Sequence, residues 1–193
     1  MDRATSTGTM LVVIDTCVYI DAFEAKLAGE ENETVWQLLG RLSLEYIKQE
    51  GAYLCISDYI KNELQYVLCK RDYLKNDITS FITTIDTMAW SHVQHSRLYS
   101  NACADKADLP IIGTVMAAKH AQNSYIVTRD SHLLAMRQYQ GIQMVHPAKF
   151  LGVLDDPRLL ARLLIANSHV RHQLRTKSTR IKEQPSADLI TAG

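Results

Sequence analysis

Met10-Leu11-Val12-Val13-Ile14-Asp15 is the stretch that decides the fold. An unbroken apolar run rich in β-branched residues suits a strand buried on both faces, as in the middle of a parallel sheet. The run stops at an acid. Tyr125-Ile126-Val127-Thr128-Arg129-Asp130 has the same shape and also ends in an acid. Between them, Tyr53-Leu54-Cys55-Ile56 reads as a short strand, and Ser57 is a good N-cap for a helix over 58–70 that carries Glu63. Asp108-Leu109-Pro110 opens another helix, with Asp as N-cap and Pro in the first turn. Acids at strand ends and helix starts point to the carboxyl edge of one sheet, where open α/β folds place their sites.

The rest of the chain fits this frame. Asp15-Thr16 opens a short helix through Phe23. Val35, Leu38, Leu39, Leu42, Tyr46 and Ile47 recur at helical spacing over 33–49, and Gly51 stops that helix. Residues 76–86 read as a helix and 90–94 as a weak strand. The helix from Asp108 runs to about His120, another covers 131–139, and Ile142 to Val145 forms a strand. His146-Pro147 begins a short helix. Alternating strands and helices predict a parallel sheet with helices on both faces. Residues 1–9 read as a flexible start, 10–155 as the folded domain, and 156–193 as a helix with a polar, disordered tail. Asp155-Asp156-Pro157 is a helix start, and Leu159, Leu160, Leu163 and Leu164 give that helix an apolar face. The tail beyond Arg175 has no periodicity.

The chain has 193 residues and a formal net charge of zero. Its charge is uneven: residues 1–157 hold 14 basic and 19 acidic residues, whereas 158–193 hold 7 and 2. An acidic body argues against a broad basic nucleic-acid surface but allows local phosphate contacts, with a tail suited to an anionic partner. No apolar stretch is long enough to cross a bilayer, and residues 1–9 lack the centre of a secretory signal. Cys17, Cys55, Cys69 and Cys103 form no C-x-x-C pair, so neither structural zinc nor a disulfide framework is expected, and a cytoplasmic location fits.

Carboxylates gathered at one edge repel one another unless a hard divalent cation neutralises them. Asp15, Glu63, Asp108 and Asp130 therefore propose a Mg²⁺ or Mn²⁺ site, and metal-assisted phosphoryl chemistry is its natural use. Thr16 and Thr128 are placed to orient the carboxylates. Lys61, Arg71, Lys106 and Arg129 are candidates to touch substrate phosphates.

The pattern resembles the PIN-domain ribonucleases, and more closely the PIN-family toxin components of toxin–antitoxin systems. The matching pieces are Val13-Ile14-Asp15-Thr16, Ile56-Ser57 with Asn62-Glu63-Leu64, Asp105-Lys106-Ala107-Asp108, Ile126-Val127-Thr128-Arg129-Asp130, Leu133-Leu134, and His146-Pro147-Ala148-Lys149-Phe150-Leu151. The resemblance covers residues 10–154, in the family's order. It implies a three-layer α/β/α sandwich with a central parallel sheet, and an endoribonuclease that hydrolyses RNA through an acidic Mg²⁺ or Mn²⁺ site. It places Asp15, Glu63, Asp108 and Asp130 as catalytic acids and adds Asp105 to the metal ligands. An antitoxin protein is the partner it implies, and the Leu-rich helix after Pro157 suits a packing face or the face of a homodimer. The sequence departs from the pattern at Cys17, where Asn is common, and in a longer segment between Asp108 and Asp130. The choice between Asp105 and Asp108 as direct ligand stays open.

Blander readings compete. A lone aspartate at a strand end is usually a cap, and Asp108 is well placed to be one. His132 reads as an exposed histidine rather than a base, because metal-bound water needs no dedicated imidazole. Cys17 reads as a packing residue; Trp36 and Trp90 could stack bases but read as core or amphipathic surface. The alternative function is a catalytically weak PIN-like module that binds RNA or protein. A flap-endonuclease-type DNA nuclease is disfavoured by the lack of a long basic arch insertion.

Overall fold

The computed structural model describes residues 10–94, 106–118, 123–153, 155–156, 158–159, 161–163 and 165. Asp105, residues 1–9, Leu160, Leu164 and the tail from 166 lie outside the described residues.

A six-stranded sheet forms the centre. Strand β1 (Leu11–Ile14) lies between β2 (Tyr53–Ser57) and β4 (Ser124–Val127), parallel to both. Strand β3 (Ser91–Val93) extends the sheet beyond β2, and β6 (Ile142–Val145) extends it beyond β4, again in parallel. All of β1 is buried, as its unbroken apolar run requires. Helices flank the sheet, giving the three-layer α/β/α sandwich.

Parallel pairing with β1 in the middle brings the ends of β1 and β4 side by side. Ile14 is in register with Val127, so Asp15 and Thr128 leave the sheet together. Asp15 N–H donates to Val127 O, which fixes that alignment one residue past the strand.

Helix α1 (Thr16–Ala28) follows Asp15 directly and runs past Phe23 to Gly29, whose positive φ ends it. Helix α2 (Val35–Glu50) opens on a capping box: Thr34 Oγ1 accepts from Gln37 N–H while Gln37 Oε1 accepts from Thr34 N–H. Gly51 closes it in the left-handed conformation. The two helices cross closely at Gly40, where a Cβ would sit 2.7 Å from Ala22 N and 2.8 Å from Asp21 Cβ. A side chain there would push α2 off α1. That crossing sets the position of Trp36, one helical turn earlier on α2.

Helix α3 (Asp58–Lys70) starts at Ser57, whose hydroxyl accepts from Ile60 N–H. Helix α4 (Lys75–Met88) packs beside it and returns the chain to β3. A short 3₁₀ turn, Lys106–Asp108, leads into α5 (Leu109–Ala117). Thr114 Oγ1 donates to Ser57 Oγ at 2.8 Å, tying α5 to the start of α3.

The segment after Asp130 also differs from the sequence expectation. Helix α6 (Ser131–Met136) stops three residues short of Tyr139. Arg137 takes a positive φ, and Gln138–Tyr139 forms β5, antiparallel to β6. Gln140 and Gly141 both have positive φ and make a two-residue hairpin turn. The cue was weak because Gln, unlike Asn or Asp, rarely marks such a turn.

Helix α7 (Pro147–Phe150) leads to a second small core. There Leu38, Leu39 and Leu42 of α2 meet Leu151 and Val153, with Leu159 and Leu163 packed against them. Asp156 Oδ1 accepts from the N–H groups of Arg158 and Leu159, as a cap does.

Candidate metal centre at the carboxyl edge

Asp15, Glu63, Asp108 and Asp130 all line one cavity of about 430 Å³. Thr16, Cys17, Ile20, Val67, Ala107, Ile111 and Arg129 complete its described lining. Each acid arrives from a different element: the end of β1, the middle of α3, the start of α5 and the end of β4.

Asp15 is 7% exposed and makes no cap bond to its own helix. Its Oδ2 instead accepts from Thr128 Oγ1 at 2.5 Å and from Cys17 Sγ at 3.1 Å. Thr128 is fully buried and accepts in turn from Asp130 N–H at 2.8 Å. A single hydroxyl thus links the two strand-end acids. Glu63 Oε2 accepts from Thr16 Oγ1 at 2.6 Å. Burial raises the Glu63 pKa; the Thr16 hydrogen bond opposes this and the nearby Asp15 charge adds to it.

Asp130 caps α6, its Oδ1 accepting from His132 N–H and Leu133 N–H. Asp108 does not act as the expected side-chain cap of α5, because the 3₁₀ turn before it already has helical backbone. Tyr59 O–H donates to Ala107 O at 3.2 Å and fastens that turn to α3. Asp108, Asp130 and His132 each offer a ligand atom within 4.8 Å of the others. The sequence reads His132 as an exposed histidine, and it is exposed, yet it stands beside the two acids. Its place two residues after Asp130, in the first turn of α6, was the available signal.

The cationic candidates divide. Arg129 lines the cavity, while its guanidinium forms an ion pair with Asp21 at 2.7 Å, donates a hydrogen bond to Asp21 Oδ1 at 3.0 Å and lies over the Trp36 ring at 5.0 Å. Lys61 pairs with Asp58 and Asp86, Arg71 with Glu24, and neither is among the cavity's described lining. Lys106 is exposed on the 3₁₀ turn and is not in that lining either. Cys17 is not a reactive thiolate: burial first, then the Asp15 charge, pushes its pKa up to about 12.

The donor set fits a hard divalent cation. Among the described lining residues, four carboxylates meet one cation, and that cation is already paired with Asp21. The cavity is therefore short of positive charge. Oxygen donors match Mg²⁺ or Mn²⁺, and the imidazole of His132 is a donor that a borderline metal tolerates better than Mg²⁺ does.

A PIN-domain family profile matches residues 11–132, a span that includes Asp15, Glu63, Asp108, Asp130 and His132. The chain belongs to the PIN-domain family. PIN domains are typically metal-dependent nucleases with acidic metal-binding residues. No curated protein and no solved structure matches the chain. Among the described residues, no helix is long and apolar enough to cross a membrane.

Proposed function

We propose that this chain is a Mg²⁺- or Mn²⁺-dependent endoribonuclease that hydrolyses RNA phosphodiester bonds. The observation that carries the reading is the convergence of Asp15, Glu63, Asp108 and Asp130 on one cavity at the carboxyl edge of the sheet. An RNA phosphate is repelled by this lining, so the same acids that recruit a cation make the site inert without one.

Asp108, Asp130 and His132 would hold the cation, with Asp15 and Glu63 lining the same cavity as the two aspartates. When bound, the metal supplies a water of lowered pKa and stabilises charge on the phosphate oxygens. The residues do the positioning. Thr128 holds Asp15 in one rotamer, Thr16 does the same for Glu63, and the α6 cap fixes Asp130. Arg129, though paired with Asp21, is the cation of the described lining and so the one placed to meet a phosphate.

Membership of a toxin–antitoxin pair, with an antitoxin protein and a second copy of the chain as partners, extends this reading. Its support is the motif resemblance, and a cytoplasmic setting agrees with the free thiols of Cys17, Cys55 and Cys69. The test is cleavage of single-stranded RNA by the purified full chain. Cleavage should require Mg²⁺ or Mn²⁺, stop on chelation, and be lost in Asp15→Asn with the circular dichroism spectrum unchanged. Unchanged cutting by Asp15→Asn would refute the site. A native chain that binds RNA but never cuts it would leave the binding-module alternative.

A further inference from the structure

We propose that Trp36 is a stacking platform for a base of single-stranded RNA beside the scissile phosphate, an inference that rests on the nuclease reading. A strip of side chains leads out of the acidic cavity along the carboxyl edge. Arg129 stands on the cavity wall at the end of β4. Its guanidinium lies over one face of the Trp36 ring, 5.0 Å from the centre, so a base has the opposite face to stack on. His146, at the end of β6, meets the same ring edge-on at 5.7 Å. Trp36 is therefore held at a fixed place by two neighbours, yet it remains 45% exposed.

Each part of this strip is braced by its neighbours. Gly40 brings α2 hard against α1 and so fixes the helix that carries Trp36. Asp21, on α1, anchors Arg129 through two contacts of 2.7 and 3.0 Å. His146 accepts Ala148 N–H at Nδ1, and its pKa is lowered, by burial first and then by the Arg129 charge. The imidazole is thus neutral near neutral pH and acts as a wall rather than a phosphate contact.

The charge balance explains why RNA would need such a platform. The described lining has one cation against four carboxylates, so phosphate contacts alone give little affinity. An aromatic face offers affinity that does not depend on charge, and every base has a face to offer. A nucleotide whose phosphate reaches Arg129 would stack its base on the indole face that Arg129 leaves open. A base inside a duplex cannot do this, because its faces are already stacked. The strip therefore selects single strands, with little preference for sequence.

The test uses the full chain carrying Trp90→Phe, so that Trp36 is the only indole, and Asp15→Asn, so that the RNA is not cut. A single-stranded RNA ten-mer should quench Trp36 emission with a saturable curve, and an RNA duplex of equal length should not. In the chain with an intact acidic site, Trp36→Ala should raise KM for single-stranded RNA roughly tenfold while kcat stays within about threefold. Trp36→Leu should behave like Trp36→Ala, and Trp36→Tyr should recover most of the loss. Stacking releases no counterions, so the factor lost should be the same at low and high salt. Cleavage with a silent Trp36, or with KM unchanged in Trp36→Ala, would overturn this inference alone. A native chain that neither binds nor cuts RNA with Mg²⁺ or Mn²⁺ would overturn the nuclease reading and this inference with it.

Discussion

Thr128 donates its hydroxyl to Asp15 Oδ2 at 2.5 Å, a bond between residues 113 positions apart that joins the ends of two neighbouring strands. The Thr128 hydroxyl oxygen in turn accepts Asp130 N–H, so both polar demands of this buried hydroxyl are met by the site's own acids. Thr128→Val keeps the shape but removes the hydroxyl, leaving a buried carboxylate oxygen and an N–H each short of a partner. The variant should lose about 1–3 kcal/mol of stability and bind metal more weakly. Thr128→Ser should retain both bonds. Urea unfolding and metal titration of the two variants check this; equal stability of Val and Ser would show that the hydroxyl orients nothing.

Glu63 has a raised pKa, chiefly from burial, so its ionised form costs the metal-free fold free energy. That contribution favours the fold when the group is protonated and is lost as pH rises through the raised pKa. Glu63→Gln removes the charge and can still accept from Thr16. In chelator at neutral pH its Tm should equal or exceed that of the native chain. The Tm gain produced by Mn²⁺ in the native chain should shrink in the variant, and cleavage should vanish. A thermal scan in both conditions decides it: a lower Tm in chelator would show that Glu63 is a structural residue.

His132 adds an imidazole to the oxygen donors of Asp108 and Asp130. Mg²⁺ has a strong preference for oxygen, whereas Mn²⁺ accepts nitrogen more readily. His132→Asn should weaken Mn²⁺ binding roughly tenfold and leave Mg²⁺ binding within about threefold, narrowing the difference between the two. Calorimetric titration of each ion into both proteins measures this. Equal losses for both ions would place His132 outside the coordination sphere.

Much of this arrangement was legible in the chain because local pattern and global fold agree. The runs ending at Asp15 and Asp130 are too apolar for anything but buried strands, and parallel pairing then puts their acids at one edge. Ser57 and Gly51 marked helix ends by chemistry that acts within a few residues. What escaped were effects that depend on distant partners. Lys61 and Arg71 looked available for phosphate until Asp86 and Glu24 arrived from other helices. Asp108 looked like a cap until the preceding turn proved helical. Trp36 could be seen as amphipathic, but its place over Arg129 follows from the helix crossing at Gly40.

Asp21 offers a test of the fold at the rim of the site. Its side chain is 9% exposed and faces Arg129. Burial raises its pKa from 3.8 to about 6, even though the Arg129 charge pulls the other way. The folded state therefore takes up a proton as pH falls through about 6, well before the unfolded chain does near 3.8. The stability from this group is fully present below the unfolded value and is lost as pH rises through about 6. The whole swing is at most about 3 kcal/mol, from roughly two pKa units at 1.36 kcal/mol each. Asp21→Asn cannot titrate and should lack this slope. Urea midpoints measured at pH 4.5, 6 and 7.5 should show the native chain gaining on the variant as pH falls. Parallel profiles over that range would mean that Asp21 keeps its charge throughout, with the Arg129 pair outweighing the cost of burial.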